Sequence, residues 1–136
     1  MNIDKFKRQH VDILDSLASL RQLVRKGITE NAQQISQLII SMSSSIRLHL
    51  AVEDSVLYPA LQESGNKAVA RMGKQFQDEM VEIAASYLSF ARNWNNPVRL
   101  ANDPEGFRDD ANRVLRVLHA RMQQENTVFY PAIEAA

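Results

Sequence analysis

HLAVEDSVLYPAL, at residues 49–61, and RMQQENTVFYPAI, at residues 121–133, are two versions of one helix end. In each version a glutamate, Glu53 or Glu125, is followed five residues later by a tyrosine and then a proline. Proline lacks the amide donor and its ring clashes with the preceding helical turn, so each version strains or ends a helix at the same point. The repeat predicts two equivalent helices with an acidic group at the same depth.

The two versions differ at their first residue. His49 begins the first and Arg121 begins the second, in each case four residues before the glutamate. Residues four apart share one face of a helix, one turn apart. Each glutamate therefore shares a face with a nitrogen-bearing side chain, an imidazole in one helix and a guanidinium in the other.

Apolar residues recur at three- and four-residue steps in four segments, which is typical of amphipathic helices. Glycine, asparagine and proline separate these segments, and Asp103-Pro104 is a strong helix opening. No segment shows sustained alternation of period two, so no sheet is predicted. Four such helices with short connections predict an all-α, antiparallel up-down-up-down four-helix bundle, formed as a single domain by residues 1–136. The four predicted inward stripes are Ile3, Phe6, His10, Ile13, Leu17, Leu20, Val24; Ile35, Leu38, Met42, Ile46, His49, Glu53, Val56; Met72, Phe76, Met80, Ile83, Tyr87, Phe90, Trp94; and Phe107, Val114, Val117, Leu118, Arg121, Glu125, Val128.

The composition limits the classes of function. Acidic and basic residues balance at 16 each, which argues against a nucleic-acid-binding surface. The absence of cysteine excludes disulfides, thiolate metal sites and cysteine nucleophiles. The longest apolar run, residues 38–40, is far shorter than the roughly 20 residues that span a bilayer. We expect a cytoplasmic protein with no nucleic-acid or membrane partner, and no catalytic constellation that would make it an enzyme.

Five polar residues interrupt the inward stripes: His10, His49, Glu53, Arg121 and Glu125. Burial of an unpaired charge is costly, so these groups must satisfy one another or bind a ligand. In an up-down bundle, the second and fourth helices end at the same end of the bundle, beside the start of the first helix. All five side chains are therefore expected in one layer. Inward histidines and carboxylates hold metal ions in helix bundles, and this ligand set suits iron, zinc or manganese.

These motifs resemble the hemerythrin-like family, also called the HHE cation-binding domain, over essentially the whole chain. The matching features are His10, the H-x-x-x-E of the second helix, the E-D-x-x-L-Y-P run at residues 53–59 and the E-N-x-x-F-Y-P run at residues 125–131. The resemblance implies a four-helix bundle that binds two irons near one end. It also implies dioxygen carriage, sensing of oxygen or iron, or a stress response.

The chain departs from the family pattern at three histidine positions. Phe76 and Met80 stand where the third helix would carry two histidines, and Arg121 stands where the fourth would carry one. In the family, those three histidines serve one iron, while His10 and His49 would serve the other and the carboxylates bridge. The resemblance therefore argues against a family-type di-iron centre in this chain.

Two interpretations follow. In the first, the protein is a signalling, interaction or sensing module with a degenerate site. Arg121 bridges Glu53 and Glu125 in place of a metal, and the histidines bond to those carboxylates or to Tyr87. Its partner would be another protein or a second copy, since the second helix has apolar residues beyond one stripe.

In the alternative interpretation, the protein is a sensor or stress-response protein that binds a single divalent metal. The ligands would be His10, His49, Glu53 and Glu125, and family resemblance favours iron over manganese or zinc. Arg121 would lie beside the ligands. Glu79, at the edge of the third stripe, would add a balancing negative charge.

Overall fold

The chain is all-helical, with 89% of its residues in helices and no strand, in its computed structural model, which describes all residues 1–136. The helices are α1 (Asp4–Lys26), α2 (Ala32–Val52), α3 (Tyr58–Glu63), α4 (Lys67–Trp94), α5 (Pro97–Asn102), α6 (Pro104–Gln124) and α7 (Tyr130–Ala135). A first π segment, Glu53–Leu57, joins α2 to α3, and a second π segment, Glu125–Phe129, joins α6 to α7. Neither junction breaks the helical path, so the chain forms five continuous helical runs. The predicted all-α class is confirmed.

Side-chain caps fix the helix starts that matter for the fold. The Asp103 carboxylate accepts a hydrogen bond from the Gly106 amide at 2.9 Å, and the next residue is proline at the first helical position. The Asn66 side chain accepts from the Val69 amide at 3.1 Å in the same way at the start of α4. These are the side chains that satisfy the free amides of a first helical turn.

The helices pack around two separate apolar clusters. α1 contacts α2 and α6, and α4 contacts α2 and α6 as well. The larger cluster contains 20 buried residues, among them Ile13, Ile46 and Met122. The smaller contains 10, among them Phe6 and Phe129. A layer of buried polar side chains lies between the two clusters.

The layer interrupts the core at one level. On α1, His10 lies between Phe6 of the smaller cluster and Ile13 of the larger one. On the second helical run, the buried His49 and Glu53 lie between members of the two clusters in the same way. Arg121 and Glu125 are the buried polar residues of α6 and the second π segment.

Each π segment follows from the proline two residues after it. The Tyr58 amide donates to the Glu53 carbonyl, five residues back, and Tyr130 does the same with Glu125. The ring of Pro59 would clash with the carbonyl of residue 55 in a regular α-helix, and Pro131 would do so with residue 127. Widening the turn removes that clash. π turns inside α-helices are common at functional sites.

The wide turns overturn part of the predicted inward stripes. Val56 and Val128 were assigned to the core, but their residues are 52% and 48% exposed. A π turn inserts one residue into the helical period, so Leu57 and Tyr58 face inward in place of Val56. Val117 is also 49% exposed, because Leu118 occupies the inward position next to it.

The run Ala32–Glu63 is long and apolar enough to cross a membrane by length and composition, with an 18-residue window of mean hydropathy 1.2. Core helices of soluble proteins meet the same criterion, so this is weak evidence for a membrane span. The run also carries the buried polar side chains of His49 and Glu53. Its apolar residues Ile35 and Ile39 are fully buried in the larger cluster.

Candidate metal centre

The structure brings together all four predicted metal ligands. His10, His49, Glu53 and Glu125 each offer one ligand atom, and these atoms all lie within 4.8 Å of one another. All four residues are at most 1% exposed. The Nε2 atom of His10 lies 2.9 Å from Glu125 Oε1, and that of His49 lies 3.4 Å from Glu53 Oε1. Ligands about 2.1 Å from one metal ion are separated from each other by about 3 to 3.5 Å, so these spacings fit a single ion.

The outer ring nitrogens fix the tautomer of both histidines. His10 Nδ1 lies 2.9 Å from Asn126 Oδ1, and His49 Nδ1 lies 2.7 Å from Gln9 Oε1. An amide oxygen only accepts hydrogen bonds, so each Nδ1 carries the proton and donates it. The neutral ring then presents an unprotonated Nε2. A histidine that ligates a metal is typically held in this way by an acceptor at its other nitrogen.

The Nε2 atoms of the two imidazoles face each other. His10 Nε2 and His49 Nε2 are 3.0 Å apart. Burial and, to a smaller extent, the nearby His10 lower the pKa of His49 to about 4, against an opposing effect of Glu125. His49 is therefore neutral near pH 7, which is the form that binds a metal.

The two carboxylate oxygens that face the histidines lack hydrogen-bond donors. Glu53 Oε1 and Glu125 Oε1 are buried and accept no hydrogen bond, although a histidine nitrogen is close to each. Burial raises the pKa of Glu53 well above its usual value, and the Glu125 charge raises it further. A buried acceptor without a donor costs about 1–3 kcal/mol. Two carboxylate oxygens and two imidazole lone pairs thus converge where a cation would satisfy all of them.

Arg121 occupies the other side of Glu125. Its Nε donates to Glu125 Oε2 at 3.1 Å, and its Nη1 donates to Glu79 Oε1 at 3.2 Å. Its Nη2 donates to the Phe76 carbonyl, and the guanidinium lies 4.3 Å from the centroid of the Phe76 ring. Glu125 therefore turns one oxygen toward the histidines and the other toward a permanent cation.

The predicted bridge from Arg121 to both glutamates is not formed. Arg121 makes no hydrogen bond to Glu53, whose Oε2 accepts from the Tyr130 hydroxyl at 3.2 Å. The guanidinium donates instead to Glu125 and to two groups on α4, the Glu79 carboxylate and the Phe76 carbonyl. The predicted role of Glu79 as a neighbouring negative charge agrees with its ion pair to Arg121.

The predicted partnership of Tyr87 with the polar layer is wrong. The Tyr87 hydroxyl donates to the Ile39 carbonyl at 3.2 Å and lies 3.5 Å from the Ser43 hydroxyl. Tyr87 lies seven residues beyond Met80 on α4, or about 10 Å along the helix axis. That distance places it within the larger apolar cluster, away from the histidines.

Sequence reasoning missed three residues that position the site: Gln9, Asn126 and Tyr130. The Tyr130 hydroxyl lies 3.1 Å from His10 Nε2 as well as bonding to Glu53. Its single proton cannot serve both acceptors. The signal for Tyr130 was available in its proline neighbour, because a π turn before Pro131 rotates Tyr130 inward. Gln9 and Asn126 follow no apolar period, and only their adjacency to His10 and Glu125 could have indicated them.

A family model described as the hemerythrin HHE cation-binding domain matches residues 1–133. The chain belongs to this family. The resemblance predicted from the histidine, glutamate and tyrosine-proline motifs is confirmed. Searches among curated proteins and among solved structures found no match to this HHE domain.

Within this HHE domain, the two positions on α4 where the family pattern has histidines are apolar. Phe76 and Met80 are buried at 5% and 7% exposure and offer no imidazole. The cluster that could hold a metal ion therefore consists of His10, His49, Glu53 and the Oε1 side of Glu125. On the other side, Arg121 is hydrogen-bonded to Glu125 and Glu79.

Proposed function

We propose that this hemerythrin-like domain binds one divalent metal ion through His10, His49, Glu53 and Glu125, and that it acts as a metal-dependent sensing or signalling module. One observation supports this best. Two imidazole Nε2 atoms and two buried carboxylate oxygens face one another, and neither carboxylate oxygen accepts a hydrogen bond. A cation removes this electrostatic cost in a way that no side chain in the layer does.

The charge of the layer supports a divalent ion. Glu53, Glu125 and Glu79 contribute three negative charges when ionised, and Arg121 contributes one positive charge. A divalent ion brings the sum to zero. Imidazole and carboxylate ligands suit iron, manganese and zinc, and membership of the family favours iron. Bound iron would supply redox chemistry, which suits a response to oxygen or to iron supply.

We propose one ion and not two because the second half of a family-type centre is filled. The guanidinium of Arg121 occupies the position beside Glu125 Oε2 and stacks on Phe76. Phe76 and Met80 cannot ligate a metal through nitrogen. A cationic side chain therefore stands where a second metal would need ligands, and a di-iron centre is not part of the proposal.

The proposal includes the arrangement of the helices. α1, the run Ala32–Glu63, α4 and the run from Pro104 would form an antiparallel up-down-up-down bundle within one domain, residues 1–136. The pairwise contacts of α1 and α4 with both α2 and α6 support it, as do the short connections. This arrangement also explains why the polar layer sits at one level on several helices.

The proposed role is regulatory and not enzymatic, in the cytoplasm, with a protein partner or a second copy of the chain as the recipient of the signal. The balanced charge of the chain supports the absence of a nucleic-acid partner. The inward histidine and glutamate of the run Ala32–Glu63 support a packed bundle over a membrane span.

A second candidate is a metal-free interaction module. The observation that favours it is the Arg121 side chain, a permanent cation that forms ion pairs with Glu125 at 3.1 Å and Glu79 at 3.2 Å. The layer would then be a structural feature, and the function would lie in a docking surface for a protein partner or a second copy.

Metal content distinguishes the two candidates. Untagged protein, purified without chelator and without air, should contain about one iron, manganese or zinc ion per chain. His49→Ala should lose it, because that variant removes one of four ligands. The matched control is His119→Ala, since His119 is the third histidine of the chain and lies outside the cluster.

Titration of metal-free protein with ferrous, manganous and zinc ions completes the test. Binding near one equivalent that is lost in His49→Ala and kept in His119→Ala supports the metal site. The absence of binding for all three ions, with a folded protein by circular dichroism, would favour the metal-free candidate.

A further inference from the structure

A cavity lies on the surface of the molecule, away from the candidate metal centre. It has a volume of about 390 Å³ and lies between the later part of α1 and the first half of α6. Leu20, Ala111 and Leu115 are among its apolar lining. They are nearly fully buried and belong to the larger core cluster, so the floor of the cavity is a rigid part of the core.

The rim of this cavity is strongly basic. Four arginines line it: Arg21, Arg25, Arg108 and Arg116. No acidic residue does so, and Asn112 is the one further polar residue. The whole chain has a net charge of zero. The positive charge around this cavity is therefore much denser than the average over the chain.

These arginines are mostly unneutralised. Arg108 forms an ion pair with Glu105 at 3.2 Å, on the exposed surface, and the other three form none. Arg21 and Arg25 are four residues apart on α1, where like charges repel each other and destabilise a helix. α6 adds two more cations to the same cavity. An anion bound among them would relieve this repulsion.

The cavity is separate from the metal centre. Leu20 is ten residues beyond His10 on α1, which is about 15 Å along the helix axis. Arg116 is nine residues before Glu125, about 13 Å by the same measure. None of the four metal-ligand candidates lines the cavity.

We propose that this cavity binds a small organic phosphate, with the phosphate held by the arginines and a short aliphatic part resting on the leucine and alanine floor. The planar guanidinium matches phosphate with two parallel hydrogen bonds, which makes arginine the preferred phosphate ligand. The volume falls within the range of small-molecule sites, roughly 300–1,000 Å³.

The density of charge favours a phosphate over an acidic peptide. One diphosphate places up to three negative charges within a few ångströms, which matches four cations around 390 Å³. A peptide spreads its carboxylates at about 3.3 Å or more per residue along an extended chain. The floor is aliphatic and offers no aromatic ring for stacking a base, so a short aliphatic group is the apolar part that fits it.

Isothermal titration of the full chain tests the site with two compounds. Inorganic pyrophosphate carries the anion alone, and isopentenyl diphosphate adds a five-carbon aliphatic group to the same anion. Both should bind, and isopentenyl diphosphate should bind several-fold more tightly, because each buried CH₂ group contributes binding free energy. The double variant Arg21→Gln/Arg116→Gln should weaken binding of both at least tenfold.

The matched control is Arg47→Gln/Arg92→Gln. It makes the same change in net charge at exposed arginines that do not line the cavity. It should bind both compounds as the unaltered chain does. Equal weakening in the two double variants, or binding of neither compound, would overturn the proposal. So would binding of an acidic peptide in preference to both phosphates.

Metal content, measured on the same samples, separates this proposal from the proposed function. All the substituted arginines are exposed, so both double variants should fold and keep their metal. If Arg21→Gln/Arg116→Gln loses phosphate binding but keeps its metal, the result bears on the cavity alone. Phosphate binding by a protein that takes up no metal would leave this inference standing and overturn only the metal site.

Discussion

His10 Nε2 and His49 Nε2 lie 3.0 Å apart in the buried layer, and each carries a lone pair when its ring is neutral. The protons reside on the opposite nitrogens, which donate to Asn126 and Gln9. Two lone pairs at this distance repel each other unless something positive lies against both. The candidate ligand atoms are thus already turned toward one another in this structure, and Gln9 and Asn126 hold the two imidazoles in that orientation.

We expect Asn126→Ala to weaken the proposed metal binding about 10- to 100-fold while the protein stays folded. The Asn126 oxygen accepts the Nδ1 proton of His10. Without that acceptor, the ring can carry its proton on Nε2 or rotate, and either change removes a metal ligand. Competition titration with zinc and a chelator of known affinity measures the effect. Gln9→Ala should weaken binding similarly through His49.

Gln123→Ala is the control for these two variants, since Gln123 is exposed on the same helical run as Asn126. It should leave the affinity unchanged. Unaltered zinc affinity in both Asn126→Ala and Gln9→Ala would show that the amides do not hold the imidazoles for a metal.

Glu53→Gln should change metal affinity and metal-free stability in opposite directions. Glu53 is 0% exposed, and its Oε1 has no donor. An amide of the same shape removes a buried charge beside Glu125 and supplies an N–H donor. We expect the metal-free variant to gain about 1–3 kcal/mol of unfolding free energy at pH 8, where the carboxylate is most costly. Its metal affinity should fall at least 100-fold.

Urea denaturation of metal-free protein and zinc competition measure the two effects. Glu63→Gln removes the same charge at an exposed position on α3 and should change neither quantity. A Glu53→Gln variant that is less stable without metal would mean that the carboxylate is already well satisfied by its neighbours.

The four candidate ligands could be predicted because they obey the helical period. His10 and His49 fall on apolar stripes, Glu53 and Glu125 recur in a repeat, and both signals are local. That these four residues converge is shown by the structure. That they bind a metal stays a prediction.

The rest of the site depends on geometry that a regular period does not contain. The wide turn before Pro131 rotates Tyr130 inward, and a fixed 3.6-residue repeat assigned Val128 there instead. Arg121 lies in the layer and bonds to Glu125 as predicted, but its predicted bond to Glu53 is not formed and Glu79 takes that place. A long side chain reaches several acceptors, and the choice of Glu79 over Glu53 depends on how closely α4 packs against α6.

Arg121→Met should destabilise the protein by about 3 kcal/mol, because it leaves Glu125 Oε2 and the Phe76 carbonyl without their donor. The side chain of Arg121 is 3% exposed, so water does not replace the lost bonds. The control is Arg113→Met on the same helix, whose ion pair with Asp110 is largely exposed. Exposed pairs contribute about 0–1 kcal/mol, so this control should lose little. Equal losses in urea denaturation would contradict the buried role of Arg121.

The buried phenol of Tyr87 should make the unfolding free energy fall at alkaline pH, whether or not a metal is bound. Burial raises the pKa of Tyr87 to about 12 from the usual value of 10, and the Ser43 hydroxyl opposes the shift. Below pH 10, the phenol is protonated in both folded and unfolded chains, so it has no effect on stability. Above pH 10, the unfolded chain ionises while the folded chain does not, and the folded state loses stability as pH rises toward 12.

Tyr87→Phe removes this ionisation. Between pH 8 and pH 11, the unaltered chain should lose about 1 kcal/mol more unfolding free energy than Tyr87→Phe does. Comparing the difference at two pH values cancels the constant cost of the lost bond to the Ile39 carbonyl. Ser43→Ala keeps the phenol and should show the full alkaline loss. If Tyr87→Phe and the unaltered chain lose the same unfolding free energy, the phenol ionises as readily in the core as in water. The burial of Tyr87 within the larger apolar cluster argues against that result.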